Sequence, residues 1–116
     1  SRNLNFSDYT FLKAGENRQK YEVRLWRTAG GSRLALYPNL NVKDDEWRKL
    51  FQDVRFRRAL SIAINRHEIN QVMYYGLGIE GNNTVLSDSP LFRQEYREKW
   101  ANYDVDRANI LMDQIG

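Results

Sequence analysis

Two early stretches of the chain alternate apolar and polar residues with a period of two, and the pattern then changes to a helical one. In residues 20–28, Tyr21, Val23 and Leu25 share one face while Glu22, Arg24 and Trp26 share the other. A second run places Leu34, Leu36 and Leu40 on one side and Ala35, Tyr37, Asn39 and Asn41 opposite. Both read as half-buried strands, and Ala29-Gly30-Gly31-Ser32 between them reads as a hairpin connection. Pro38 has no N–H for a ladder, so the second strand is expected at an edge or bent there. Ahead of the pair, Ser7 is a plausible cap for a short helix reaching Ala14 and ended by Gly15.

Beyond Asn41, Trp47, Leu50, Phe51 and Val54 fall at the i, i+3, i+4, i+7 positions of one helix face. Asp53 is placed to cap a further helix whose apolar stripe is Phe56, Ala59, Leu60, Ala63 and Ile64. Asn65 with Glu68 makes an N-x-x-E pattern that opens another helix through Tyr74 or Tyr75. A loop rich in Gly, Asn, Ser and Asp follows from Gly76 to Ser89. Ser89-Pro90 then predicts a cap and first helical residue for a helix bearing Phe92, Tyr96 and Trp100. The last helix is expected from Asp104, with Ala108, Leu111, Met112 and Ile115 inward and a stop at Gly116. The expected class is α+β, a small antiparallel strand pair followed by several helices.

Composition narrows the class. The 116 residues are 41% hydrophobic and 28% charged, with 3 Trp, 7 Tyr and 5 Phe, which describes one domain over 1–116 and not a disordered tail. No apolar run approaches the roughly 20 residues of a membrane span, and the start at Ser1 shows no basic-then-apolar leader. With no cysteine there is no disulfide, thiolate metal site or Cys nucleophile. The net charge of +3 is unevenly spread: residues 1–67 carry 14 Lys/Arg against 7 Asp/Glu, and residues 68–116 carry 4 against 8.

No catalytic set emerges. Gly76-Leu77-Gly78-Ile79-Glu80-Gly81 spells the dinucleotide fingerprint, but a helical pattern precedes it and Asn82-Asn83-Thr84 follows, the reverse of the context that binds pyrophosphate. A helix-ending glycine and a turn explain it better. His67-Glu68 opens like a zinc-binding H-E-x-x-H, yet position 71 is Gln and His67 is the only histidine. Asp104 and Asp106 resemble the start of a calcium loop, but position 108 is Ala. Arg55, Arg57 and Arg58, with Arg48 and Lys49 upstream, form the densest basic cluster; Arg57 points away from the face shared by Arg55 and Arg58. Nearby Asp44, Asp45, Glu46 and Asp53 are expected partners for these arginines.

The stretch Asp53-Val54-Arg55-Phe56-Arg57-Arg58-Ala59-Leu60-Ser61-Ile62-Ala63-Ile64-Asn65-Arg66 strongly resembles the signature helix of bacterial extracellular solute-binding proteins of family 5, the oligopeptide, dipeptide and nickel receptors of ABC importers. The order around it is similar too. Leu34 to Asn41 resembles the strand before that helix, Glu68 to Gly78 its continuation, and Ser89-Pro90 with Tyr103-Asp104, Ala108, Leu111 and Gly116 the segment after it. Asn65 stands where Asp is common and Arg58 where Gln is common, and the loop after Gly78 lacks a frequent proline. Asparagine caps a helix as aspartate does, so the fold implied is unchanged.

The resemblance implies part of a periplasmic-binding-protein type II lobe: a piece of the second lobe of a larger, two-lobed, hinge-closing protein. It implies a periplasmic or extracytoplasmic location and delivery of cargo to a membrane permease. It also implies a binding role with no enzymatic activity, cofactor or metal. By position, it points to Tyr37, Asn39 and Asn41 as residues facing the cleft. The expected function is therefore the substrate-binding component of an ABC importer for peptides or similar polar solutes. The rival is a small basic nucleic-acid-binding domain using Arg48, Lys49, Arg55 and Arg58, which predicts steeply salt-dependent duplex binding.

Overall fold

Local capping chemistry sets most of the helix starts. The structure is a computed structural model that describes residues 4–26 and 32–116. A 3-10 turn at Phe6–Asp8 leads into α1, Tyr9–Gln19. Helix α2 spans Asp45–Gln52, and the Asp44 carboxylate accepts from the backbone N–H groups of Glu46 and Trp47. Asp53 ends α2 and caps α3, Val54–Ile62, by accepting from Arg55 N. Asn65 caps α4, Arg66–Tyr74, by accepting from Glu68 N at 3.0 Å. A short α5 covers Gln94–Glu98. Asp104 caps α6, Val105–Asp113, by accepting from Arg107 N at 2.9 Å. Each of these side chains satisfies a first-turn N–H that has no partner inside its helix.

The core is the seam between α3 and α6. Ala59, Ile62 and Ala108 are buried there, with Trp100 and Leu111 packed against them. Two alanines facing each other let the helices approach closely, and Ile62 fills the space beside them. Polar links hold both ends of the seam. At one end Asp104 N donates to Ile62 O at 2.8 Å and Ser61 Oγ donates to Trp100 O at 2.6 Å. At the other, Arg55 donates to Gln114 O at 2.7 Å. Helix α2 joins through a run of rings, Trp47 to Phe51 to buried Phe56, with centroids 5.4 and 5.9 Å apart. The start of the chain is tied to the end of α4 by a second aromatic group, Phe6 and Tyr9 against Tyr74 and Tyr75.

Three expectations need correcting. No strand forms among the described residues. The stretch 21–26 turns back onto α1, where Tyr21 donates to Leu12 O at 2.6 Å and Val23 N to Glu16 Oε1 at 2.6 Å. Among the described residues, the stretch 32–41 forms no backbone ladder with another segment, and Leu34 and Leu36 stay 64% and 66% exposed. Alternation marks two faces, but a strand also needs a ladder partner, and a lone hairpin is marginal in water. Of the expected hairpin connection Ala29 to Ser32, all but Ser32 lies outside the described residues.

Gly15 lies inside α1 and does not end it. A Cβ there would sit 2.3 Å from the Tyr21 hydroxyl, so glycine makes room for the returning ring. Ser89-Pro90 starts a turn and not a helix: Phe92 N donates to Ser89 O, and α5 begins only at Gln94.

The surface is large for the length. The chain exposes 10,057 Å², whereas a compact monomer of this size exposes about 6,600 Å². Its radius of gyration is 18.8 Å, against about 13 Å for a compact domain.

Candidate ligand-binding site

The segment carrying Tyr37, Asn39 and Asn41 is shaped by its own side chains. Asn39 Oδ1 accepts from Asn41 N at 3.1 Å and Asn39 O accepts from Val42 N at 3.3 Å, a turn that asparagine favours. Gln52 at the end of α2 donates to Leu40 O at 2.9 Å, and Arg48 donates to Val42 O at 2.9 Å. The turn is thus fastened to α2. The Asn39 carboxamide oxygen is engaged within the turn, while the Tyr37 ring stands 80% exposed. Asn83 Nδ2 lies 3.5 Å from the Tyr37 hydroxyl, which brings the loop after α4 to this segment.

That loop is anchored at two places. Tyr75 and Gly76, both at positive φ, end α4. Asn70, the buried polar residue of α4, then grips the chain as it returns: Gly78 N donates to Asn70 Oδ1 at 2.8 Å, and Asn70 Nδ2 donates to Gly78 O at 3.1 Å and Glu80 Oε1 at 2.9 Å. His67 Nδ1 lies 3.1 Å from the same Glu80 oxygen. The hydrogen bond from Asn70, followed by that from His67, holds the Glu80 carboxyl below its ordinary value of 4.5. The second anchor is Asn82, whose N–H donates to Arg97 O at 2.8 Å and whose Nδ2 donates to Lys99 O at 2.5 Å.

Between these anchors and α5 lies an open cavity of about 320 Å³, lined by Arg66, His67, Glu80, Arg97, Asn102 and Tyr103 among others. Arg66 is committed to structure there, donating to Ser61 O, Ala101 O, Ser61 Oγ and Asn82 Oδ1 at 2.7–3.3 Å. Burial pulls its pKa below the usual guanidinium range.

The glycine fingerprint has the inverted context its flanks predict. Helix α4 precedes it, and the next helix, α5, begins only at Gln94. The basic cluster is dispersed among structural partners. Arg55 donates to both Asp53 oxygens, Arg48 pairs with Asp45, and Arg57 donates to Phe51 O and Gln52 O. The Arg58 guanidinium lies 4.5 Å from the Trp100 ring centroid, with Arg107 at 4.6 Å over the same ring. Among the described residues, no group of three or more His, Cys, Asp or Glu is placed to hold a metal, and no helix is long and apolar enough to cross a membrane.

Neither Asn70 nor Asn83 has a site role legible from local sequence. The available signal was the asparagine-rich stretch after Gly78, but pairing Asn70 with a residue eight positions on needs a known loop path.

Compared with known proteins, the chain belongs to the bacterial extracellular solute-binding proteins, family 5: the middle-region description of that family matches residues 2–116. Among solved structures it is similar to an oligopeptide-binding protein, OppA, with 41% sequence identity and a TM-score of 0.80. The match covers 95% of this chain and 17% of that one, so the chain spans about a sixth of that relative's length. A search of curated proteins gave no match.

Proposed function

We propose that the chain is part of one ligand-binding lobe of a larger, two-lobed solute receptor of an ABC importer. The receptor captures peptides or similar polar solutes outside the cytoplasmic membrane and passes them to the permease. The observation that carries this reading is the 41% identity at a TM-score of 0.80 over 95% of the chain to a protein named for binding oligopeptides. The surface supports the partial-lobe reading. Among the described residues, Leu34, Leu36, Phe11, Val72, Ile79 and Leu91 are mostly exposed, and the chain as a whole exposes more surface than a compact domain of its length.

Recognition would fall to Tyr37, Asn39 and Asn41. A phenol and carboxamides both donate and accept hydrogen bonds, which suits the amide groups of a peptide backbone. Neither a cofactor nor a nucleophile enters the proposal: binding is the whole activity. The basic-domain alternative has no support in the arginines, which are distributed over carboxylates, carbonyls and a tryptophan ring.

Titration of the natural-length polypeptide with a pool of tri- to pentapeptides, with mass-spectrometric identification of what is retained, tests the reading. Retention of peptides by the long form, and none by the 116-residue chain alone, is expected. Micromolar binding by the isolated chain would contradict the partial-lobe assignment. Absence of any binding by the long form would overturn the peptide assignment.

A further inference from the structure

The loop after α4 carries more polar construction than a connector needs. Asn70 is 7% exposed and its carboxamide makes three bonds to one stretch of chain, two to Gly78 and one to Glu80. A buried carboxamide so fully used fixes the backbone it grips, because any other loop path leaves a buried donor or acceptor unpaired. Gly78 is cut to fit: a Cβ there would lie 2.8 Å from Asn70 Oδ1. Two residues past Glu80, the Asn82 amide is tied to Arg97 O and its side chain to Lys99 O and Arg66. Between and just beyond these ties the chain has little freedom. Asn83 follows directly, and its carboxamide reaches the exposed Tyr37 hydroxyl.

We propose that Asn83 joins Tyr37 in contacting the peptide backbone of the ligand, and that Asn70 is the positioning residue that brings Asn83 there. The inference rests on the peptide-binding reading above. Asn83 and Tyr37 are both exposed, both able to donate and accept, and drawn from segments 46 residues apart. An adjacent phenol and carboxamide match the alternating N–H and C=O groups of an extended peptide. Asn70 touches no ligand: it acts through the loop.

The test uses the natural-length polypeptide and the peptide that it retains most tightly from a pool of tri- to pentapeptides. Asn83→Ala, a change at an exposed side chain that leaves the core intact, is expected to weaken binding about tenfold, the net worth of one or two hydrogen bonds. Asn70→Ala is expected to weaken it as much, and the double variant no more than the single ones, since both act through one contact. Asp113→Ala, at an exposed polar position of α6 away from this loop, is expected to bind as wild type. Asn83→Ala binding as wild type overturns the inference even if Asn70→Ala fails to fold. Additive losses in the double variant overturn the positioning role. If the wild-type polypeptide retains no peptide at all, the peptide reading falls and this inference with it, whereas retention that Asn83→Ala leaves undiminished sinks the inference alone.

Discussion

Ile62→Ala isolates the contribution of the α3–α6 seam. Ile62 is 3% exposed and packs with Ala59, Ala108, Trp100 and Leu111, so truncation opens space that two alanines cannot fill. The three carbon groups removed carry about 0.8 kcal/mol each in transfer from water, or about 2.4 kcal/mol together. Incomplete collapse around the site adds a cavity contribution, which brings the expected loss to about 3 kcal/mol. Ala59, Ile62 and Ala108 are the buried centre of this seam, and domains of this size are held by roughly 5–15 kcal/mol, so the loss is a large share of the total. Urea unfolding followed by helical circular dichroism and by tryptophan emission measures it, with Trp100 reporting from the seam itself. Ile62→Val should lose about 1 kcal/mol. Leu60→Ala, two residues away but 36% exposed, should lose clearly less than Ile62→Ala. A loss below about 1 kcal/mol for Ile62→Ala, or a larger one for Leu60→Ala, would refute the assignment of the core to this seam.

Three further outcomes follow from the polar framework. Arg55, through its side chain and then its backbone N–H, holds the Asp53 carboxyl down from 3.8 to about 2. The unfolded chain therefore takes up the proton first on acidification: this contribution is complete above 3.8 and lost as the pH falls through about 2. Acid unfolding of Asp53→Asn, which keeps the cap, should be less steep over that window, and an unchanged slope would contradict the pairing. Gly81 sits at φ +155°, where a Cβ would come within 2.3 Å of Arg97 Cγ and 3.0 Å of Arg97 O. Gly81→Ala should cost of order 1–3 kcal/mol, seen as a melting temperature lower by several degrees; an unchanged melting temperature would show that the strain is relieved. Arg66 spreads one guanidinium over four acceptors, a fork that a lysine ammonium cannot reproduce. Arg66→Lys should melt close to Arg66→Met and well below wild type, and full rescue by lysine would mean that charge alone matters there.

The elements legible in the sequence are those whose cause is local. Asp53, Asn65 and Asp104 each cap the helix that their spacing predicts, because cap and N–H lie within three residues of each other. The apolar stripe read for α3 is inward at Phe56 and Ala59 but not at Leu60 or Ala63, which are exposed, and it missed buried Ile62. The partner helix α6 selects the inward face and is not visible in local spacing. Gly15 misled because the reason for glycine there is Tyr21, which folds back across α1 from outside the helix. Ser89-Pro90 misled because the same pair suits a turn and a helix start, and only the residues after it decide between them. At the candidate site, the family resemblance points to Tyr37, Asn39 and Asn41, and the approach of Asn83 to Tyr37 depends on a loop path that spacing does not encode.

The failed strand pair and the large surface have a common physical origin. Alternation in Leu34, Leu36 and Leu40 records that one face of this segment is apolar, and that face stays open to solvent. Burying such a face is favourable by about 25 cal/mol for each Å², so an isolated chain gains nothing by leaving it out. The polar side of the same segment is different. There Asn39 is engaged in its own turn, Gln52 and Arg48 fasten the turn to α2, and Asn83 meets Tyr37. The segment therefore has a conformation determined from its polar side while its apolar side lacks a cover. In the partial-lobe proposal those two facts belong together: the remaining polypeptide covers Leu34, Leu36 and Leu40, and the fastened polar edge is left facing the solute. A substitution such as Leu36→Asp separates the two, since it should leave the isolated chain's stability nearly unchanged at an exposed position while destabilising the natural-length protein. Equal effects in both would mean that nothing covers this face and that the large surface has another cause.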